Sequence, residues 1–153
     1  MELKKWFILI IILNFTNFLY ADIIKPTKNL TAYDVIKIQL NALKKNNKPN
    51  NNSGIMQTWI FAHPENKKIT GPYERFQRMI LGEQYNILIN HESHKIKLIM
   101  SLKNKHVYSV EIISSDKKMY FYEWHLEKST TKKCNNCWFT TNVSPPTDKG
   151  NII

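Results

Sequence analysis

Two cysteines three positions apart carry the most reactive side chains of this chain. Cys134 and Cys137 form a C-x-x-C pattern, which occurs in zinc sites, redox motifs and structural disulfides. Zinc would require two more ligands, for which His91 and His94 are the candidates. A redox motif would require the first cysteine at the N-terminus of a helix, whereas this pair begins a predicted strand.

The two residues between the cysteines, Asn135 and Asn136, favour a β-turn. Such a turn brings its ends within ~7 Å of each other, close enough for a disulfide. In an exported protein this pair favours a small structural disulfide between Cys134 and Cys137, with two free thiols as the alternative. No bound metal and no other cofactor is predicted.

A histidine and a carboxylate lie two positions apart in another predicted strand. Because side chains alternate across a strand, Glu123 and His125 project on the same side. There the imidazole could act as a general base and the carboxylate could orient it. His91 and the adjacent Glu92 are a second candidate pair for acid/base roles. The simpler interpretation is that Glu123 and His125 belong to an exposed polar row.

Aromatic residues and one arginine are candidates for a ligand pocket between sheet and helices, although the aromatic residues are first of all predicted core. Arg75 lies near the start of a predicted helix, where its charge opposes the helix dipole and indicates an anionic partner. That partner is either a structural carboxylate, such as Glu65 or Glu74, or a ligand at the mouth of the pocket. The aromatic candidates are Trp59, Phe61, Tyr122, Trp124 and Trp138.

Three helices are predicted in the first half of the chain. The first begins at Thr31, where Asp34 completes a capping box, and it runs to about Lys45. Its inward stripe is predicted to contain Tyr33, Ile36, Leu40 and Leu43. The second helix covers residues 55–62, and the third covers 72–81, with Gly71 as N-cap, Pro72 at the first helical position and Gly82 as the stop.

The second half of the chain changes to the two-residue period of strands. Turn residues at Asn104 and at Ser115-Asp116 separate successive runs, which predicts an antiparallel meander. Segregated helices and strands predict an α+β fold. The predicted strands are 96–100, 106–113, 118–126 and 137–143, with a short additional strand at 87–89.

Four segments carry a resemblance to a known family. They are AYDVIKIQLNAL (32–43), FAHPENKKITGPYERFQRMI (61–80), YFYEW (120–124) and the Cys137-Trp138 pair. Together they resemble a family of small domains of unknown function with a nuclear-transport-factor-2-like, or SnoaL-like, fold. The resemblance implies N-terminal helices packed on a curved antiparallel sheet, a cone. It also implies homodimerisation through the open face of the sheet, but it supplies no reaction.

The N-terminus has the pattern of a targeting segment. Lys4 and Lys5 precede an apolar run at 6–13, and Ala21 is a small residue suited to cleavage. The prediction is a signal peptide at 1–21, cleaved on export to the periplasm or the exterior. The alternative is an uncleaved signal that anchors the protein in the membrane. The remaining divisions are a lead-in at 22–30, a single domain at 31–143 and a flexible tail at 144–153.

The chain is basic, with a formal net charge of +10. Nearly all of this charge comes from lysine, because Arg75 and Arg78 are the only arginines, and the lysines are spread along the sequence. Nucleic-acid binding would better fit clustered arginines, so no nucleic-acid partner is predicted. A general compositional bias explains the lysines, and peripheral contact with an anionic membrane is the alternative.

These observations predict an exported, non-catalytic accessory module that binds a small ligand or an envelope protein. The alternative is a cofactor-free hydrolase or isomerase that uses His125 and Glu123. A third hypothesis is a lysine-rich protein that associates with anionic membranes or polymers.

Overall fold

The structure, a computed structural model, describes residues 23–151. In this part of the chain four helices precede a five-stranded antiparallel sheet, so the predicted α+β class is confirmed. The predicted signal peptide lies outside the described residues. The helices are α1 Ala32–Lys44, α2 Ser53–Ile60, α3 Pro64–Thr70 and α4 Tyr73–Leu81, followed by a short 3-10 helix at Asn86–Leu88. The strands are β1 Ser93–Ser101, β2 Lys105–Ile113, β3 Lys118–Lys128, β4 Trp138–Val143 and β5 Thr147–Asn151.

Strand β3 is the centre of the sheet. The strands run in the order β1-β2-β3-β4, and β5 pairs with the same edge of β3 as β4 does. β4 lies along residues 124–128 of β3, and β5 lies along residues 118–121. Pro145 and Pro146 separate the two strands because proline has no N–H to donate to the ladder.

Strand β5 corrects the prediction of a flexible tail after Val143. The five residues of β5 are all exposed and polar or glycine, so they lack the alternation of apolar residues that identifies a strand in a sequence. The main-chain pairing with β3, rather than side-chain burial, places them in the sheet. Ser144 continues this pairing, since its N–H donates to the Glu123 carbonyl at 2.9 Å.

The first helix forms as its capping residues predict. The Thr31 hydroxyl accepts from the Asp34 N–H at 3.1 Å, and the Asp34 carboxylate accepts from the Thr31 N–H at 2.9 Å. Ile36, Leu40 and Leu43 are buried, but Tyr33 is about half exposed. Its predicted place in the stripe is therefore wrong, and Ala32, Val35 and Gln39 complete the buried face.

Helix α3 is absent from the sequence prediction, which has no element between the second helix at 55–62 and the third at 72–81. Pro64 in fact begins a new helix, and His63 is its N-cap: His63 Nδ1 accepts from the Glu65 N–H at 3.2 Å. Gly71 consequently ends α3 rather than capping α4, whose N-cap is Pro72. Gly82 ends α4 as predicted, whereas the strand predicted at 87–89 is replaced by the 3-10 helix.

The sheet has two contrasting faces. The covered face packs against the helices through the buried side chains of Tyr108, Val110, Ile112, Tyr122, Trp124 and Leu126. The open face carries the alternate residues of the same strands: Ser109, Glu111, Phe121, Glu123 and His125. This separation follows from the two-residue period of a strand.

Candidate functional site

A cavity of about 110 Å³ lies between the helices and the covered face of the sheet. An apolar cavity of comparable size, about 150 Å³, accommodates a benzene molecule. Met79 and Asn142, which are both exposed, mark the mouth. The lining residues are Gln39, Leu43, Thr58, Ala62, Asn66, Thr70, Phe76, Met79, Ile80, Tyr85, Leu88, Trp124, Thr140, Asn142 and Val143.

A buried hydrogen-bond network around Gln39 forms one wall of the cavity. Gln39 Oε1 accepts from Trp124 Nε1 at 3.2 Å and from the Thr140 hydroxyl at 2.6 Å. Because an indole N–H only donates, the Gln39 atom facing it is the carbonyl oxygen. Gln39 Nε2 donates to the Thr58 carbonyl at 3.2 Å. This is its single hydrogen bond among the described residues, and a side-chain amide has two hydrogens to donate.

Three elements hold this network in place. Gln39 lies on the buried face of α1, and Trp124 projects from β3. Thr140 in β4 is held by the segment that joins α2 to α3. The Thr140 N–H donates to the Phe61 carbonyl at 2.9 Å, and its carbonyl accepts from the His63 N–H at 2.8 Å. The edge of β4 is thereby paired at the cavity wall.

The lining of the cavity is electrically neutral. Among residues 23–151, the lining includes no aspartate, glutamate, histidine, lysine or arginine. Tyr85 is the one titratable lining residue in this range, and burial raises the pKa of its phenol. Its hydroxyl donates to the Val143 carbonyl at 3.0 Å. A general acid–base pair would therefore have to act outside this cavity.

Of the residues predicted to line a pocket, only Trp124 lies in the cavity wall. Phe61 and Tyr122 are fully buried in the core, and the Tyr122 hydroxyl donates to the Gln84 carbonyl at 3.0 Å. Trp59 packs against Phe76 with ring centroids 5.0 Å apart.

The two remaining pocket candidates lie away from the cavity. Trp138 is buried near His106, with ring centroids 4.5 Å apart. Arg75 is exposed on α4, and it makes no salt bridge within residues 23–151. Among the described residues, Arg75 therefore has no anionic partner, and it does not line the cavity.

The predicted acid–base pair lies on the open face. His125 Nε2 is 3.3 Å from Glu123 Oε2, so the two side chains do meet. The Glu123 side chain is 59% exposed and the His125 side chain 25%. The pair lies in an exposed row, on the side of β3 away from the cavity. In the second pair, His91 is buried while Glu92 is exposed and bonded to Lys117.

His91 forms a different interaction, with His94. His91 Nδ1 lies 2.8 Å from the Leu88 carbonyl, which only accepts, so Nδ1 carries a proton. Burial lowers the pKa of His91 to about 4, and in the neutral ring Nε2 is then an acceptor. His94 Nδ1 donates to it at 2.7 Å. Burial and, secondarily, Lys44 also lower the pKa of His94.

Cys134 and Cys137 lie at disulfide-bonding distance, with their Cα atoms 5.5 Å apart. The predicted turn is present: the Cys137 N–H donates to the Cys134 carbonyl at 3.3 Å, and Asn136 has a φ of 65°. A disulfide suggests a non-cytoplasmic compartment.

Within residues 23–151, no three histidine, cysteine or carboxylate side chains are grouped to hold a metal ion. In the same range, no helix is long and apolar enough to span a membrane.

Sequence reasoning missed most of the cavity wall. Gln39 was detectable, because a glutamine within the apolar stripe of α1 requires a buried partner. Thr140 and Tyr85 were not detectable, because their roles depend on pairing between distant segments.

The fold and cavity define an α+β domain with a neutral pocket between helices and sheet. No family model, curated protein or solved structure matches this chain.

Proposed function

We propose that this protein is a non-catalytic module that binds a small, uncharged and mainly apolar molecule in the cavity beside Gln39. The observation that carries the proposal is the combination of a neutral, mainly apolar lining with the buried Gln39 amide, one hydrogen of which has no partner among the described residues. Such a site combines area for hydrophobic contact with a few polar groups that orient the ligand.

The absence of charged lining residues selects against charged ligands. A carboxylate or ammonium group moved from water into this cavity would lose its hydration without gaining an ion pair. A carbonyl oxygen on the ligand would instead accept from Gln39 Nε2. Asn66, Thr70 and Asn142 add neutral polar groups to the lining. We therefore expect a ring or short chain that carries an amide, ketone or alcohol.

The test uses two probes of nearly equal shape, benzamide and benzoate. Benzamide is expected to bind with a Kd on the order of 1 mM, as its nine heavy atoms allow, and benzoate is expected not to bind. Thr70→Phe, which adds a ring to the lining, should weaken benzamide binding about tenfold or more. Calorimetric titration measures both effects.

Ile69→Phe is the matched control, because Ile69 is the neighbouring residue of α3, is 70% exposed and does not line the cavity. Its affinity for benzamide should equal that of the unmodified chain. Equal binding of benzoate and benzamide, or equal binding by the two phenylalanine variants, would contradict the proposal.

We further propose that the protein acts outside the cytoplasm as a nuclear-transport-factor-2-like cone. The basic and apolar residues at 1–21 and the Cys134–Cys137 pair support export. N-terminal helices that cover an antiparallel sheet support the cone. A mature chain that begins at Asp22, measured by mass spectrometry on protein from its own host, is the expected result. A chain that retains residue 1 would contradict cleavage.

A further inference from the structure

The β1–β2 hairpin ends in an exposed apolar surface, which is called here the hairpin patch. Its members are Leu98, Ile99, Met100 and Leu102, each with 39–56% of its surface exposed. Single exposed apolar residues are common in soluble proteins, but a contiguous group marks an interaction site. Four such residues within five positions therefore require an explanation.

A β-bulge spreads the hairpin patch over both sides of β1. Leu98 pairs with Tyr108 and Met100 pairs with Val107, so Ile99 is the extra residue of the bulge. By this register Leu98 shares the side of Tyr108, the covered face, and Met100 shares the opposite side. Ile99 borders a groove on the open face, next to Ser109. An apolar surface on both sides of a strand fits a surrounding apolar medium better than a one-sided protein partner.

Positive charge borders the hairpin patch. The segment 93–110 contains four lysines and no aspartate or glutamate. Lys95 pairs with Glu111 at 3.1 Å and Lys105 pairs with Glu127 at 2.9 Å. Lys97 and Lys103, one at each end of the patch, are exposed and form no salt bridge within residues 23–151. Their charges are therefore available to an anionic surface.

The same features disfavour a second copy of this chain at this edge. β1 is an edge strand of the described sheet, and such a strand can pair with another chain. A bulge and lysines on an edge strand are devices that oppose this pairing. Two copies would also bring two segments together that carry lysines and no carboxylates, and their like charges would repel.

We propose that the β1–β2 hairpin docks on an anionic lipid surface. The hairpin patch enters the boundary between headgroups and acyl chains, while Lys97 and Lys103 extend their amines to the lipid phosphates. Docking at this edge is independent of ligand binding in the cavity, which lies between the helices and the covered face of the sheet.

Hydrogen exchange of the full chain with lipid vesicles tests the proposal. A local readout is needed because the apolar run at 6–13 offers lipid a second site. With phosphatidylcholine vesicles that contain phosphatidylglycerol, amides at 98–102 should exchange more slowly. Pure phosphatidylcholine should give little protection there. The double variant Ile99→Ser, Leu102→Ser should lose this protection.

The charge contribution is tested with Lys97→Gln and Lys103→Gln. Each should weaken the vesicle affinity measured at 98–102 about fivefold at low salt. Leu81→Ser and Lys37→Gln are the controls, because both residues are exposed on other elements. Neither substitution should change the vesicle affinity measured at 98–102. Equal protection by neutral vesicles would overturn the proposal. So would protection without vesicles that rises with protein concentration, which would indicate a second copy of the chain.

Discussion

Adjacent residues of strand β3 belong to two different chemical environments. Trp124 is buried on the covered face and bonded to neutral polar groups, whereas Glu123 and His125 on either side of it lie on the open face. Among the described residues, the cavity is lined by the Gln39 amide and by no carboxylate or imidazole, whereas Glu123 borders an open groove on the other face. Binding in the cavity and proton transfer by the histidine–glutamate pair would therefore use opposite faces of one sheet.

The largest expected effect comes from removing the indole of Trp124. Trp124→Ala should reduce the free energy of unfolding by about 3–5 kcal/mol, because it leaves a void and removes the bifurcated hydrogen bond that the single indole N–H donates to Gln39 Oε1 and the Thr140 hydroxyl. Phe121→Ala, on the half-buried opposite face, should cost less than about 1.5 kcal/mol. Urea denaturation measures both values. Equal losses would break the contrast between the faces.

A pH-dependent loss of stability is expected from His91. Its folded-state pKa of about 4 lies below the ordinary value of 6.5, so the unfolded chain binds more protons between these two values. Stability should therefore fall as the pH falls from about 6.5 to 4, by about 2–3 kcal/mol from this group. Because other groups titrate in this range, the test compares the slope of unfolding free energy against pH in the unmodified chain and in His91→Gln.

The variant His91→Gln should show a shallower decrease of unfolding free energy across the same pH range. His94 remains in this variant and retains its own dependence. A slope identical to that of the unmodified chain would show that His91 is not the buried neutral group described above.

A smaller effect is expected from the amide of the cavity wall. Gln39→Leu removes one of the two donors to the Thr58 carbonyl, which keeps the Phe61 N–H, and removes the acceptor of the Thr140 hydroxyl hydrogen. This should cost about 2 kcal/mol. Asn41→Leu, on the exposed side of the same helix, should change stability by less than about 0.5 kcal/mol. Thermal and urea unfolding measure both. A Gln39→Leu variant with unchanged stability would mean that the hydrogen-bond network does not stabilise the cavity wall.

The smallest effect is expected on the open face. His125→Ala should change the free energy of unfolding by less than about 1 kcal/mol, because its partner Glu123 is largely exposed to water. Benzamide affinity should remain unchanged, since the two residues lie away from the cavity. Loss of binding in this variant would favour the alternative that places function at the histidine–glutamate pair.

Local signals in the sequence predicted much of the fold. The Thr31–Asp34 capping box and the apolar stripe of α1 depend on nearby residues, and both were found. The alternation in β3 correctly placed Glu123 and His125 on the same side of the strand. Strand β5 was missed because its stability comes from main-chain pairing rather than from side-chain pattern. Helix α3 was missed because a proline is a common sign of a helix end, whereas Pro64 is the first residue of α3.

The candidate site was less predictable than the fold, because its wall joins distant segments. Trp124 was predicted from its aromatic character. Its partner Thr140 reaches the cavity only through pairing with Phe61 and His63. No local pattern around Thr140 contains that information. Gln39 was not predicted either, although a polar residue within the apolar stripe of α1 is a local signal that could have identified it.

The position of bound benzamide most directly tests whether the ligand site lies in the cavity on the covered face. Nuclear Overhauser effects between benzamide and the protein would show which face it occupies. If the ligand occupies the cavity, the benzamide ring should contact the Trp124 indole and the Val143 methyl groups, and its amide should contact the Gln39 side chain. Contacts confined to Phe121 and His125 on the open face would contradict this placement.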